Sequence, residues 1–214
     1  LHAFQESAQA KLAELDFSSE RIATLETEVN NLHNEVQARA EQISSNRSNA
    51  AKDLGQRVSQ ELVALAMGGS KLHVLVENTD QLGPTGLDSV SFLLESYSGA
   101  EPRLLGKGAS GGELSRIMLA LEVILAETDS TPTFIFDEVD AGVGGAAAIE
   151  VGRRLAKLAK NAQVIVVTHL AQVAAFADRH LTVVKTSDAG FTSSDVRVLD
   201  ENARAEELAR MLSG

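Results

Sequence analysis

Three separated segments hold residues whose types suit chemistry on an anion: Ser110-Gly111-Gly112-Glu113; Phe134-Ile135-Phe136-Asp137-Glu138 followed by Val139-Asp140; and Val164-Ile165-Val166-Val167-Thr168-His169. The first opens a helix-forming stretch. A helix start exposes unpaired N–H groups and the positive end of the peptide dipoles, and glycine lets an anion approach the backbone closely. The same four residues also read as an ordinary N-cap with a flexible approach. Asp137-Glu138 ends an apolar run, and ligands of open α/β sheets bind at the carboxyl ends of strands. Two adjacent carboxylates there are costly unless a cation or hydrogen bonds compensate. Asp137 suits the shell of Mg²⁺, directly or through water. Glu138 suits a base that polarises an attacking water. The bland alternative is a carboxylate pair that caps the following turn. His169 follows a second apolar run, so its ring can reach the same crevice; a lone histidine is otherwise more often structural.

Cations are the natural complement of such a site. Arg116 follows the glycine turn closely and is the better candidate for a functional cation. Arg153, Lys157 and Lys160 recur at i, i+4 and i+7, with Arg154 beside them. They can form a DNA-facing stripe, although a solvated helix face is the favoured reading.

Positioning these residues requires strands and helices in alternation. Thr133–Phe136 and Val164–Thr168 read as buried strands. Helices are expected over Gly112–Glu127, Ala146–Lys160 and Ala171–Ala177. Leu181–Lys185 and Val196–Leu199 read as edge strands, and Ala203–Leu212 as a terminal helix. This alternation implies an α/β sandwich with a largely parallel sheet. Ahead of it, Lys71–Glu77 and Val90–Glu95 read as strands around a turn at Asp80–Gly86, and Gly99–Gly108 as a loop.

Residues 1 to about 66 differ in kind. They contain one glycine, Gly55, and no proline. Leu1, Ala8, Leu15, Ile22, Val29, Val36, Ile43 and Ala50 repeat every seven residues, with Phe4, Leu25 and Leu32 on the partner position. This is a coiled-coil seam, interrupted by Lys11, Ser18, Arg39, Asn46 and Asp53. Helix-start residues in Asp16–Glu20 predict a break at 16–19, then a helix from about Ser19 to Met67, roughly 70 Å long. Leu54, Val58, Leu62 and Leu65 take over in another register, as expected where an arm docks on a globular body. The predicted division is an arm over 1–67 and a globular lobe over 68–214.

Composition narrows the classes. The 214 residues carry a formal charge of −11, so the chain as a whole is a poor non-specific binder of nucleic acid; DNA contact must come from a local basic patch or from other chain. There is no cysteine, which excludes disulfides and cysteine-based metal sites and is compatible with a reducing cytosol. No apolar run approaches 18 residues, so neither a membrane span nor a signal peptide is expected. The chain begins at Leu1 rather than Met and is expected to be part of something longer.

The order of the three segments resembles the C-terminal lobe of ABC ATPases. The signature motif, Walker B strand, D-loop and H-loop of that superfamily align with Ser110–Glu113, Thr133–Glu138, Val139–Gly142 and His169. The longer strings Ala109–Ala120, Phe136–Val143 and Val167–Ala175, and Glu207–Leu212, are similar to the RecN family of bacterial DNA-repair proteins within the SMC-like ABC ATPases. The resemblance covers nearly the whole chain. A departure is Gly108, where an apolar residue is expected. The resemblance implies an ABC-type ATPase head half-domain preceded by a coiled-coil arm. It implies ATP and Mg²⁺ as ligands, with Glu138 and His169 catalytic, Asp137 toward the metal, and Ser110, Gly111, Gly112, Glu113 and Asp140 toward nucleotide. No Gly-x-x-x-x-Gly-Lys-Ser/Thr string occurs, and Gly106-Lys107-Gly108 is no substitute. In the family that phosphate-binding loop lies in an N-terminal half across the coiled coil, so the implied site is composite. Asp137, Glu138 and His169 would complete their own head's loop, Ser110 and Gly112 would close over the γ-phosphate held by a second head, and Asp140 would sit at the seam. The implied partners are that N-terminal half, a second head and double-stranded DNA or its ends. The implied task is recombinational double-strand-break repair by ATP-dependent head dimerisation and DNA bridging, in the cytoplasm at the nucleoid. Alternatives are another SMC-type or transporter-type ABC head, against which the arm argues in the transporter case, or a non-catalytic coiled-coil scaffold.

Overall fold

A computed structural model describes residues 2–126, 133–188 and 191–213. Helix α1 runs without interruption over His2–Ala64. The break expected at 16–19 is therefore absent. Asp and Ser in a helix interior cost only about 0.5 kcal/mol each relative to better formers, and without Gly or Pro in that stretch nothing forces a break. Strand β1 (Lys71–Gly83) and β2 (Gly86–Glu95) turn at Pro84-Thr85, so the predicted turn is shorter and both strands are longer than expected. The expected 99–108 loop contains a two-residue strand β3 (Arg103–Leu104) and a single-turn helix α2 (Leu105–Gly108). Then follow α3 (Gly111–Leu125), β4 (Thr133–Phe136), α4 (Gly145–Leu158), β5 (Gln163–Val166), α5 (Ala171–Ala174), β6 (Leu181–Asp188), β7 (Phe191–Val198) and α6 (Glu201–Ser213). The Glu127 end expected for α3 lies outside the described residues.

The chain divides into two compact units, one of residues up to Asn49 with Val76–Val90, the other of Ala50–Leu75 with Ser91 onward. This differs from the predicted division at 67/68. Within the first unit the outer part of the β1–β2 hairpin is tied to α1 through Asp88, whose buried carboxylate accepts from Ser44 Oγ at 2.7 Å and pairs with Arg47 Nη1 at 3.1 Å. Thr79 Oγ1 donates to Leu87 O at 2.8 Å across the hairpin. Ile22, Leu25, Val29, Leu32, Val36 and Ile43 of the heptad stripe are exposed, and such a seam is stable only against another helix.

The second unit holds the main core. The last turns of α1 supply Val58 and Leu62, and the turn just after it Leu65, each fully buried, as the change of register predicts. They belong to the globular core, which is why the compact division falls before residue 51. Gly55 sits mid-helix because a Cβ there would lie 2.9 Å from Leu72 O; its absence lets β1 run against α1. Ser59 Oγ accepts the Leu72 N–H at 3.0 Å. Helix α3 buries Ile117, Leu119, Ala120 and Ile124, and α4 buries Ala148, Val151, Leu155 and Leu158. Both stripes follow helical spacing.

Strands β4 and β5 pair in parallel, Thr133↔Gln163 through Phe136↔Val166. Strands β1, β2 and β3 form a separate sheet in that order, and β6 and β7 an antiparallel hairpin. The architecture is α/β, with parallel pairing confined to β4–β5 among the described residues. The reading of β4 and β5 as buried strands needs correction. Phe134, Phe136, Val164 and Val166 pack on the core. Ile135 and Val167 remain 71% and 60% exposed, and Ile165 is exposed too. Continuous apolar runs are the pattern of strands covered on both faces, and the described residues cover one.

Candidate functional site

The site lies in the second unit, at the carboxyl ends of β4 and β5 and the amino end of α3. Parallel pairing sets the first relationship. Phe136 and Val166 are in register, and Val167 N donates to Phe136 O at 3.0 Å. Asp137-Glu138 and Thr168-His169 therefore leave the sheet side by side.

Asp140 joins the two exits. Its carboxylate is buried, with the side chain 3% exposed. Oδ2 accepts from Thr168 Oγ1 and from His169 N at 3.1 Å, and lies 3.2 Å from His169 Nδ1. Thr168 Oγ1 in turn accepts the Leu170 N–H at 3.1 Å. A buried carboxylate serving two donors is among the stronger polar arrangements available to a protein. It fixes where His169 stands, while the His169 side chain itself is 73% exposed. The Asp140 carboxylate is thus turned inward.

Ser110 caps α3 as a full capping box. Its Oγ accepts Glu113 N at 3.4 Å, while Glu113 Oε2 accepts the Ser110 N–H at 2.9 Å and its hydroxyl at 2.7 Å. Those bonds, the backbone one foremost, hold the Glu113 carboxyl below its ordinary value, against the opposing effect of burial. Both bland and functional readings of Ser-Gly-Gly-Glu are compatible with this cap, since the Gly111 and Gly112 N–H groups of a first turn have no intrahelical acceptor.

The amino end of α3 packs directly on the loop after β4. A Cβ at Gly112 would lie 2.8 Å from Ala141 Cβ and 3.2 Å from Glu138 O. A Cβ at Gly111 would lie 2.6 Å from Glu138 Oε2. One turn on, Ser115 Oγ donates to Asp137 O at 2.7 Å, and Arg116 Nη1 to Ala141 O at 2.7 Å. Within the loop, Glu138 N donates to Asp137 Oδ1 at 2.9 Å, and Glu138 has φ +57°. A non-glycine residue at positive φ is strained and persists only where its surroundings impose it. Asp137 and Glu138 stay exposed between Phe136 and Val139, both buried.

All the sequence-predicted residues therefore meet: the 110–113 turn, the 137–138 pair, Asp140 and His169. Arg116 and Asp140 are exceptions in role: Asp140, expected at a seam toward nucleotide, has its carboxylate buried and engaged by Thr168 and His169, and Arg116 is likewise turned inward. It is 6% exposed, burial depresses its pKa, and its guanidinium braces the 138–141 loop from inside rather than facing an open anion site. Arg153, Lys157 and Lys160 are exposed, as a solvated face requires, and Arg153 pairs with Glu150, whereas Arg154 beside them is largely buried and pairs with Glu61 and Glu150. Sequence reasoning missed Ser115 and Thr168, whose hydroxyls stitch α3 and β5 to the β4 loop; the signal was a hydroxyl adjoining each motif. Gly108, the departure from the family pattern, has a local cause: a Cβ there would lie 3.1 Å from Arg103 Cβ.

No group of three or more His, Asp or Glu that could hold a metal occurs among the described residues. Asp137 can contribute one carboxylate to Mg²⁺, an ion that commonly takes one or two carboxylates and completes its shell from water and phosphates. No described helix is long and apolar enough to cross a membrane.

Comparison with known proteins accords with this geometry. The family profile described as the RecF/RecN/SMC N terminal domain matches residues 2–192. The DNA repair protein RecN of Streptomyces coelicolor is 49% identical over 195 residues, covering 86% of this chain and 34% of that protein. RecN of Vibrio cholerae is 38% identical over 215 residues, covering 100% and 39%. The chain thus spans little more than a third of the length of these relatives. Among solved structures, an Smc head domain with a coiled coil and joint from Pyrococcus yayanosii superposes with a TM-score of 0.66 at 20% identity, over 96% of this chain and 37% of that one. That likeness concerns the fold.

Proposed function

The chain belongs to the RecF/RecN/SMC family, on its RecN branch, and we propose that it is the C-terminal part of an ATP-hydrolysing head. One observation carries this reading: the Ser110 turn, the Asp137-Glu138 pair and His169 stand around one end of a parallel strand pair, held there by Asp140, Ser115 and the two glycines.

The roles follow from position. Glu138, exposed beyond β4, accepts a proton from the attacking water. His169, anchored through its backbone by Asp140, offers its ring to the same crevice. Asp137 would hold Mg²⁺, directly or through water, and that ion would neutralise charge on the phosphates when bound. Ser110 and the free N–H groups of Gly111 and Gly112 bind phosphate oxygens presented by a second head. Phosphoryl transfer requires mainly positioning and charge stabilisation, which residues on two facing surfaces supply. The phosphate-cradling loop comes from an N-terminal half of the same protein. The exposed face of Ile135, Ile165 and Val167 is the surface that this half covers, and the stripe on α1 pairs with the returning helix of the arm. ATP binding then joins heads, hydrolysis releases them, and the assembly bridges double-stranded DNA during break repair; the RecN relatives are named as DNA repair proteins.

The test uses the whole protein. Glu138→Gln is expected to lower ATP hydrolysis roughly 10²-fold or more, by analogy with removal of one catalytic stabiliser, and to accumulate an ATP-bound head dimer on size exclusion. Hydrolysis at the parental rate would remove Glu138 from the mechanism. A catalytically dead parent would instead favour the scaffold reading.

A further inference from the structure

We propose that Gly111 positions the base in cis: it leaves the space that the Glu138 carboxylate of the same head occupies. This rests on the proposed function of Glu138 and adds to it. In the composite site, the Ser110–Glu113 turn of one head serves the nucleotide of the other. The geometry gives Gly111 a second duty, toward its own head.

Three observations support it. A methyl at position 111 would stand 2.6 Å from Glu138 Oε2, a separation that real Cβ atoms do not adopt. The group that must yield is the carboxylate itself, the far end of a flexible side chain, so the helix and the loop can keep their places. Second, the Glu138 backbone cannot easily re-aim that side chain. Its φ is +57°, its N–H is held by Asp137 Oδ1, and its carbonyl faces Gly112 at the distance where a Cβ would be tight. Third, Gly111 has no positive φ, so its conformation does not demand glycine. The absence of a side chain at 111 is explained by the space Glu138 fills. The first turn of α3 also carries the positive end of fifteen aligned peptides, which favours a carboxylate there.

A functional consequence follows. Glu138 and a phosphate from the opposite head approach the same helix start.

Gly111→Ala and Glu138→Gln, arranged in two asymmetric dimers of the whole protein, separate this from a purely trans role. In the cis pair, one head carries Ala at 111 with Glu138 intact, and the other keeps Gly111 with Gln at 138. In the trans pair, both substitutions are on one head and the other is parental. Each pair has one altered turn facing one nucleotide and one working base, so head association is matched. Single-turnover ATP hydrolysis is expected to be slower in the cis pair by about 10²-fold, the scale of misplacing a catalytic group by about 1 Å. Equal rates, or a slower trans pair, would overturn the proposal. Failure of the underlying reading is distinct: a symmetric Glu138→Gln dimer would then hydrolyse ATP like the parent. A crystal structure of the nucleotide-free Gly111→Ala head gives a readout apart from hydrolysis. The Glu138 carboxylate is expected to move from position 111 with the 138–141 backbone unchanged, and an unmoved carboxylate refutes the proposal.

Discussion

Removing the Asp140 carboxylate tests how the two strand exits are held together. In Asp140→Ala, Thr168 Oγ1 and His169 N both lose their acceptor, and His169 Nδ1 loses the carboxylate 3.2 Å away. A hydrogen bond to a charged group contributes about 1.5–3 kcal/mol. The two bonds share one oxygen and cannot be summed independently, so the expected local loss is about 3 kcal/mol. At about 1.4 kcal/mol per decade, that is roughly a 10²-fold increase in opening of the 167–170 segment. Hydrogen exchange of the whole protein, read on peptides spanning His169 and Leu170, measures this directly, whereas global melting of a multidomain chain does not isolate it. Asp140→Asn keeps an acceptor oxygen and loses the charge, so it is expected to fall between parent and alanine. ATP hydrolysis should drop in the same order, about tenfold or more for alanine, because His169 loses its anchor. Parental exchange at His169 in Asp140→Ala would show that Asp140 does not hold this loop.

Gly112→Ala drives a Cβ against Ala141 Cβ and two backbone carbonyls; it is expected to destabilise the 110–114 and 138–142 segments by about 1–3 kcal/mol, seen as faster exchange of both. Ser110→Ala removes the cap and should cost about 1 kcal/mol at the start of α3, again read by exchange. The Glu113 carboxyl titrates below its ordinary value in the folded state because Ser110 donates to it. Its contribution is therefore fully present above about pH 4.3, the unfolded glutamate value, and is lost as pH falls through the folded pKa. A carboxyl-carbon NMR titration giving Glu113 an ordinary or raised midpoint would contradict this. Asp88→Ala strips the acceptor from Ser44 and Arg47 and should loosen the hairpin by about 2 kcal/mol, with faster exchange over 79–88.

Local chemistry was legible in the residues themselves. Ser110-x-x-Glu113 ahead of an apolar-periodic run is readable as a helix start, because capping needs only bonds within four residues. Heptad spacing announced the arm, and the apolar runs Thr133–Phe136 and Val164–Thr168 announced strands ending at the acidic pair and at His169, although the second strand itself spans Gln163–Val166. The continuity of α1 through Asp16–Glu20 was not legible, since helix-start residues merely permit a break. Nor was the inward turn of Arg116 and of the Asp140 carboxylate. Charge type says what a side chain can bind, while the direction it faces depends on which carbonyl or amide packing brings near it. The strand runs did not reveal that one face of β4–β5 is bare among the described residues, because hydrophobicity records the demand for cover and not its source. The contact between Gly111 and Glu138 joins residues 27 positions apart. No spacing rule reaches that far; it exists because β4 brings Glu138 to the end of the sheet where α3 begins.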